Sequence, residues 1–286
     1  MKKVVSFSGG RTSAYLCYLM KEKFGNDVDF IYMDTGAEHI ETYRFIRRVN
    51  QHFELNLTCL RGDFNQPLGS GHSYKIVDID DLKPDLGPFR DMCMKYGTPT
   101  VASGWCTSRI KQETHDKYCN EKYGKGEYQT WLGIRADEPK RLGGVGKNES
   151  LKYMAEISGA DKEDVLDFWS NMPFDLNIPE WLGNCVFCFK KSNLKLAAAQ
   201  RDEPEMYIEW LEMIESAPDR NKKEGRNSMH MYRKQKTLPE VVAMFDGSTG
   251  EEIKSRIRGA KMTETGSCSE SCEVFVCEAN QVDMFE

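Results

Sequence analysis

Lys2-Lys3-Val4-Val5-Ser6-Phe7-Ser8-Gly9-Gly10-Arg11-Thr12-Ser13 opens with an apolar run that stops at a glycine pair, after which Tyr15, Leu16 and Leu19 recur at helical spacing. The run reads as a buried strand, the glycines as a turn, and residues 12–23 as a helix. A second apolar run over residues 28–33 ends in Asp34-Thr35-Gly36. An amphipathic helix over 40–53 and a third strand over 55–60 follow it. Strands alternating with helices form a parallel sheet covered on both faces, so the pattern predicts an α/β fold with a parallel, doubly wound sheet.

Two glycines between a strand and a helix let the backbone approach a ligand, and the first N–H groups of the helix then point at an anion. Phosphate is the natural occupant. Ser8, Thr12 and Ser13 add hydroxyls and Arg11 a charge-assisted donor. Residues 61–101 carry many Gly, Pro and Asp without periodicity and read as a long loop. A helix is expected over 108–123 and a fourth strand over 128–134, which puts Gly133-Ile134-Arg135 at a strand's C-terminal end, where α/β sheets bind ligands. After Gly143 the pattern turns helical, most clearly over 162–171 and 204–215, with no strong strand. This divides the chain into an α/β domain, 1–143, and a helical extension, 144–286, with the glycine-rich Gly143-Gly144-Val145-Gly146 as a linker. Phe168, Trp169 and Phe174 read as core joining the two parts, and histidines 39, 52, 72, 115 and 230 match no metal spacing.

In a chain of 286 residues, 40% hydrophobic and 29% charged, no apolar run approaches the roughly 18 residues of a membrane span. The first apolar run is also too short for a signal peptide, so the expected location is the cytoplasm, away from membranes. A formal charge of -6 excludes coating of nucleic acid through the overall field. Locally, Ala217 to Lys261 holds eleven Lys or Arg against six acids, including Lys222 and Lys223. That surplus reads either as a solvated helical surface or as a face that docks nucleic acid.

Ten cysteines in a reducing compartment point to metal or thiol chemistry rather than disulfides. Cys17, Cys59, Cys93 and Cys119 stand alone and read as buried, inert thiols. Cys185 and Cys188 form a CxxC, and Cys268, Cys272 and Cys277 crowd the C-terminus. CxxC is a zinc spacing as much as an iron–sulfur one, so both remain open on ligand count.

Ser8-Gly9-Gly10-Arg11-Thr12-Ser13 resembles the SGGxDS signature of the PP-loop ATP pyrophosphatases, with Thr12 in place of the usual Asp. Asp34-Thr35-Gly36 with Glu41-Thr42 resembles the DTG…PET stretch of the phosphoadenylyl-sulfate (PAPS) and adenylyl-sulfate reductases, Ile40 replacing the proline. Gly133-Ile134-Arg135 resembles their GxR segment, whose arginine faces the anion of the nucleotide. The resemblance implies a sheet of PP-loop (HUP-like) type that binds ATP or another adenine nucleotide, with Mg2+ alongside. It assigns the nucleotide to Ser8, Gly9, Gly10, Arg11, Thr12, Ser13, Asp34, Thr35, Gly36, Gly133, Arg135 and, ranked after these, Arg141.

Trp105-Cys106-Thr107-Ser108-Arg109-Ile110-Lys111 further resembles the CCxxRK element of adenylyl-sulfate reductases with one Cys lost, and Cys185-Val186-Phe187-Cys188 resembles their later CxxC. The resemblance thus implies a 4Fe-4S cluster on Cys106, Cys185 and Cys188, with Cys272 as fourth ligand. Cys268 is the alternative ligand and otherwise a nucleophile; Cys277 ranks third. Members of this family either reduce an activated sulfate or adenylate an acceptor oxygen and replace it with sulfur. Glu270-Ser271-Cys272-Glu273-Val274 lacks the glycine and histidine of the reductases' ECGLH-like end. The expectation is therefore an ATP-dependent sulfurtransferase, with nucleic acid as one acceptor class and Arg135 and Cys268 as catalytic residues. The alternatives are a PAPS or adenylyl-sulfate reductase and a non-catalytic nucleotide and iron–sulfur redox sensor. The sulfur donor is not legible.

Overall fold

The structure, a computed structural model, describes residues 1–100, 104–139, 141–142, 149–218 and 236–260. Alternation along the first strand, β1 (Lys2–Phe7), sends Val4 to one side of the sheet and Val5 and Phe7 to the other, all buried. The chain turns at Gly9 and Gly10 into α1 (Arg11–Phe24), then passes through β2 (Val28–Asp34), α2 (Ile40–His52) and β3 (Thr58–Asp63). These are the expected elements. The third strand starts three residues later than expected because Glu54 and Asn56 adopt positive φ, which breaks extended backbone.

Residues 61–101, expected as a loop, contain β4 (Ser73–Val77) and α3 (Gly87–Tyr96). β4 runs antiparallel to β3 at the sheet's edge, with Ile76 63% exposed, so it lacks the apolar alternation that would announce it. The expected helix over 108–123 is a π-helical turn, Thr107–Gln112, running into α4 (Glu113–Tyr123). Beyond it, β5 (Tyr128–Leu132) leads to β6 (Leu151–Tyr153), a three-residue strand in the region where no strong strand is expected. The remaining helices are α5 (Lys162–Ser170), α6 (Asn193–Asp202), α7 (Pro204–Ser216), α8 (Leu238–Ala243) and α9 (Gly250–Ala260).

The strand order is β4-β3-β2-β1-β5-β6, and every neighbouring pair is parallel except β3 and β4. The chain moves outward one way from β1 through β2 and β3, and the other way through β5 and β6. β1 is therefore the switch point, where an open α/β sheet leaves a crevice at its strand ends. The loops after β1, β2 and β5 share that edge.

One sheet face packs Phe7, Phe30 and Trp131 against α1, α2 and α5, and the other packs Val4, Ile31 and Leu60 against Tyr118 and Cys119 of α4. Trp169 of α5 meets Phe45 edge-on at 4.9 Å, and Phe168 meets Tyr15 at 4.8 Å, so these aromatics do join the later helices to the sheet. A separate core of Phe89, Phe187, Leu196, Trp210 and Val241 unites α3, α6, α7 and α8 around the CxxC loop. No described helix is long and apolar enough to cross a membrane.

Candidate functional site

Gly9 holds φ at +81°, and a Cβ there would lie 3.0 Å from Thr42 Cγ2 and 3.1 Å from Ile46 Cδ1. Glycine thus lets the loop fold down onto α2. Within the loop, the Ser8 N–H donates to Ser13 Oγ at 3.2 Å, the two hydroxyls lie 2.8 Å apart, and Ser13 Oγ donates to the Gly10 carbonyl at 3.0 Å. Gly10 precedes α1 in extended conformation and provides no side-chain cap, so the first amides of the helix are turned toward the cavity above it. That cavity has a volume of about 140 Å³, with Ser8, Gly9, Gly10, Arg11 and Thr12 on one wall and segments 176–184 of the later chain on the other.

Arg11 spans the two walls. Its guanidinium donates to both carboxylate oxygens of Asp175 at 2.7 and 2.9 Å and to the Leu176 carbonyl at 2.6 Å, while the Trp169 indole donates to the Arg11 carbonyl at 3.0 Å. The side chain is thereby placed as a tie between loop and wall. Arg135, just beyond β5, is 7% exposed and lines the same cavity. Its Nη1 donates to Thr12 Oγ1 at 3.3 Å, and its Nε to Asp137 at 2.8 Å. Gly133 lies in the same connection, and Arg141 is held by Glu138 at 2.5 Å.

Asp34 is fully buried, so its carboxylate faces the protein rather than the cavity. Oδ1 accepts from the Gly36 N–H at 2.9 Å and the Tyr43 hydroxyl at 3.0 Å, and Oδ2 accepts from Arg61 Nε at 2.6 Å. Burial pushes the carboxyl up against the opposing pull of Arg61. The network shapes the turn through Gly36 (φ +68°). That turn delivers Thr35 to one cavity and Glu38 to another.

The second cavity, about 30 Å³ and almost wholly apolar, has Thr35, Cys106, Lys111, Cys185, Cys188 and Trp210 on its walls. The three cysteines matched to the reductases thus come together. Cys185 Sγ is 3.9 Å from Thr35 Oγ1 and 4.0 Å from Glu38 Oε1, and Lys111 Nζ lies 3.9 Å from the same Glu38 oxygen. Lys191 donates to the Trp181 and Val186 carbonyls at 2.6 and 2.9 Å, and burial lowers its pKa to about 8 against the pull of Cys188 and Cys185. Among the described residues, no three His, Cys, Asp or Glu side chains converge where one ion could bind. Three sulfurs beside buried lysines are soft donors, but in this arrangement they do not form a site for a single ion. A guest larger than about one water requires the walls to part.

Glu38 and Trp210 carry no motif and were not singled out by the sequence reading. Glu38 is 2% exposed and lines the first cavity while touching Cys185 of the second. Cys17, Cys59, Cys93 and Cys119 are buried as expected, and burial pushes the Cys59 thiol up to about 12. Cys268, Cys272 and Cys277, the 143–146 linker and Lys222 and Lys223 lie outside the described residues.

Comparison with known proteins adds the kinship. A family model described as the phosphoadenosine phosphosulfate reductase domain matches residues 2–66, which hold both glycine turns. The uncharacterized nin region protein ORF290 of Escherichia phage lambda is 44% identical over 280 residues, covering 96% of each chain. Two uncharacterized proteins of Methanocaldococcus jannaschii are more distant. MJ0973 is 23% identical over 73% of this chain and 46% of its own length, and MJ0066 is 27% identical over 47% and 23%.

Proposed function

Because the chain belongs to the phosphoadenosine phosphosulfate reductase family of the PP-loop superfamily, aligning over 96% of its length with the phage lambda protein, we propose that it is an ATP-dependent sulfurtransferase. ATP lies with its phosphates on the Ser8–Ser13 loop. An acceptor oxygen, on nucleic acid as one class, is adenylated and then replaced by sulfur. The observation that supports this reading is the nearness of the two cavities: Glu38, on the wall of the first, lies 4.0 Å from Cys185 Sγ, which borders the second together with Thr35, Cys106 and Cys188.

In the first step the acceptor oxygen attacks the α-phosphorus. A P–O bond forms, the bond to the α–β bridging oxygen breaks, and pyrophosphate leaves with the electron pair. The amides of α1 and the Ser8 and Ser13 hydroxyls orient the phosphates. Arg135, held by Thr12 and Asp137, meets the charge that develops on them. In the second step a sulfur nucleophile from a donor attacks the activated acceptor carbon, and AMP departs.

The usual Asp is Thr12 here, and the carboxylates on the described cavity wall are Glu38 and Glu180, so Mg2+ accompanying the nucleotide meets a different acidic set. Cys106, Cys185 and Cys188 would hold a 4Fe-4S cluster with Cys272, or Cys268 in its place, as fourth ligand. Thiolates of a cluster bind different irons and need not converge on one point. Such a cluster supplies a sulfur or electron site beside the phosphates.

The test is pyrophosphate release from ATP by anaerobically purified full-length protein offered RNA or DNA acceptors. Arg135→Ala is expected to lower the rate by about 10²–10³-fold. Sulfite formed from PAPS, with no ATP cleavage for any acceptor, would overturn the proposal in favour of a reductase.

A further inference from the structure

Arg11, the first residue of α1, is fixed by a segment of the chain 164 residues further on. Asp175 takes the guanidinium in a fork, Oδ1 accepting from Nε at 2.7 Å and Oδ2 from Nη2 at 2.9 Å, and the Leu176 carbonyl accepts from Nη2 at 2.6 Å. Asp175 is itself held, because its Oδ1 also accepts the Leu176 N–H at 2.6 Å. Trp169, packed edge-on against Phe45 of α2, fixes the backbone of the same arginine by donating to its carbonyl. The bonds to Asp175 and Leu176 use the Nε and Nη2 edge of the guanidinium and leave Nη1 without an acceptor among the described residues. Arg11 and Leu176 border the cavity above the glycine loop, whereas Asp175 does not. The carboxylate thus stands behind the arginine, and Nη1 is the donor left for an anion in the cavity.

We infer that Asp175 is a positioning residue for the nucleotide: it holds Arg11 at the cavity wall so that Nη1 donates to a phosphate oxygen of the bound nucleoside triphosphate. The inference rests on the proposed reading of this cavity as the phosphate site. An untethered arginine samples many rotamers, and a long cation that is ordered only on binding gives back part of its interaction as lost entropy. The fork orders the side chain in advance, so phosphate meets a donor already in place. The nucleotide site is then not confined to residues 1–143, because a residue of the later chain sets how the loop presents its charge.

The experiment measures ATP binding by calorimetry on the full-length protein, on Asp175→Asn, on Arg11→Ala and on the double variant. Asp175→Asn keeps the size of the side chain and one oxygen for the Leu176 N–H, and removes the charge and one arm of the fork. It is expected to raise the Kd for ATP about tenfold, the lower end of what one charge-assisted hydrogen bond contributes. In the Arg11→Ala background the same change is expected to cause no further loss, because Asp175 acts only through Arg11. A merely structural role would lower thermal stability and carry its loss of affinity unchanged into that background, which overturns the inference.

If Asp175→Asn does not fold, Asp175→Glu, which keeps the charge and displaces the fork by one methylene, is taken through the same cycle, with a several-fold loss expected only where Arg11 is present. Tighter binding of ATP to Asp175→Asn means that the carboxylate competes with phosphate for the guanidinium, and it overturns the inference. Equal affinity in the parent and every variant also overturns it and leaves the reading of the cavity intact. Absence of ATP binding by the parent protein overturns that reading, and the inference with it.

Discussion

Asp34→Asn removes one charge from a fully buried network, and the geometry says how much that should matter. The carboxylate accepts from Arg61 Nε at 2.6 Å, from the Tyr43 hydroxyl and from the Gly36 amide. Asparagine retains one acceptor oxygen for Gly36 and Tyr43, but its amide nitrogen then faces Arg61 donor to donor. Arg61 has only Asp85, at 3.4 Å, as a second acid, and its Nη2 is buried with no acceptor among the described residues. Removing one partner of a buried ion pair typically destabilises by about 3–5 kcal/mol. The partial exposure of Arg61, 20%, and its contact with Asp85 favour the lower end, about 3 kcal/mol. For a chain of this size that corresponds to a fall in Tm of roughly 5–10 °C. Urea denaturation measures the free energy, and a double-mutant cycle with Arg61→Met isolates the pair, with an expected coupling of about 2 kcal/mol. A single-mutant loss under about 1 kcal/mol, or no coupling, would refute the network as the support of the Gly36 turn.

Gly36→Ala places a Cβ 2.7 Å from Asp85 Oδ1 and 2.9 Å from Pro88 Cδ at φ +68°, so a loss of about 2–4 kcal/mol is expected in thermal denaturation. Arg11→Ala severs the fork to Asp175; calorimetry should show ATP binding weakened at least several-fold, with a stability loss of about 1–2 kcal/mol. Burial first, then Lys117, Arg109 and Lys95, hold the His72 pKa down at about 4. The unfolded chain takes up this proton near pH 6.5 and the folded one only near 4. Stability should therefore fall as pH drops through that window, by at most about 3 kcal/mol, since Glu113 lies 3.3 Å from Nδ1. His72→Gln should flatten the slope of urea midpoints over the same range.

The sheet edge after β1 and β2 was legible because its determinants are local: apolar strands, glycine turns and helix starts fall in order along residues 2–60. β4 and α3 were not legible, since an edge strand with exposed Ile76 and a helix entered through Leu86 at positive φ carry weak periodic signals. Meeting of Cys106 with Cys185 and Cys188 was foreseen only through family likeness; nothing in their spacing across nearly eighty residues brings them together. Glu38 and Trp210 were illegible for a different reason. An acid beside a turn and an aromatic on an amphipathic helix look ordinary until the cavities they border are seen.

The Val186 N–H donates to the Ala37 carbonyl at 2.9 Å, and the Leu86 N–H to the Gly36 carbonyl at 2.9 Å. Both bonds join main chain to main chain at the turn between Thr35 and Glu38, one tying it to the CxxC loop and the other to the start of α3. Substitutions that leave the Gly36 turn in place, proline apart, can change neighbouring side chains without removing either bond. The spacing between cavities is thus insulated from drift in their linings, so a descendant sequence can retune what it recognises on either side while inheriting the same distance across which the two must act.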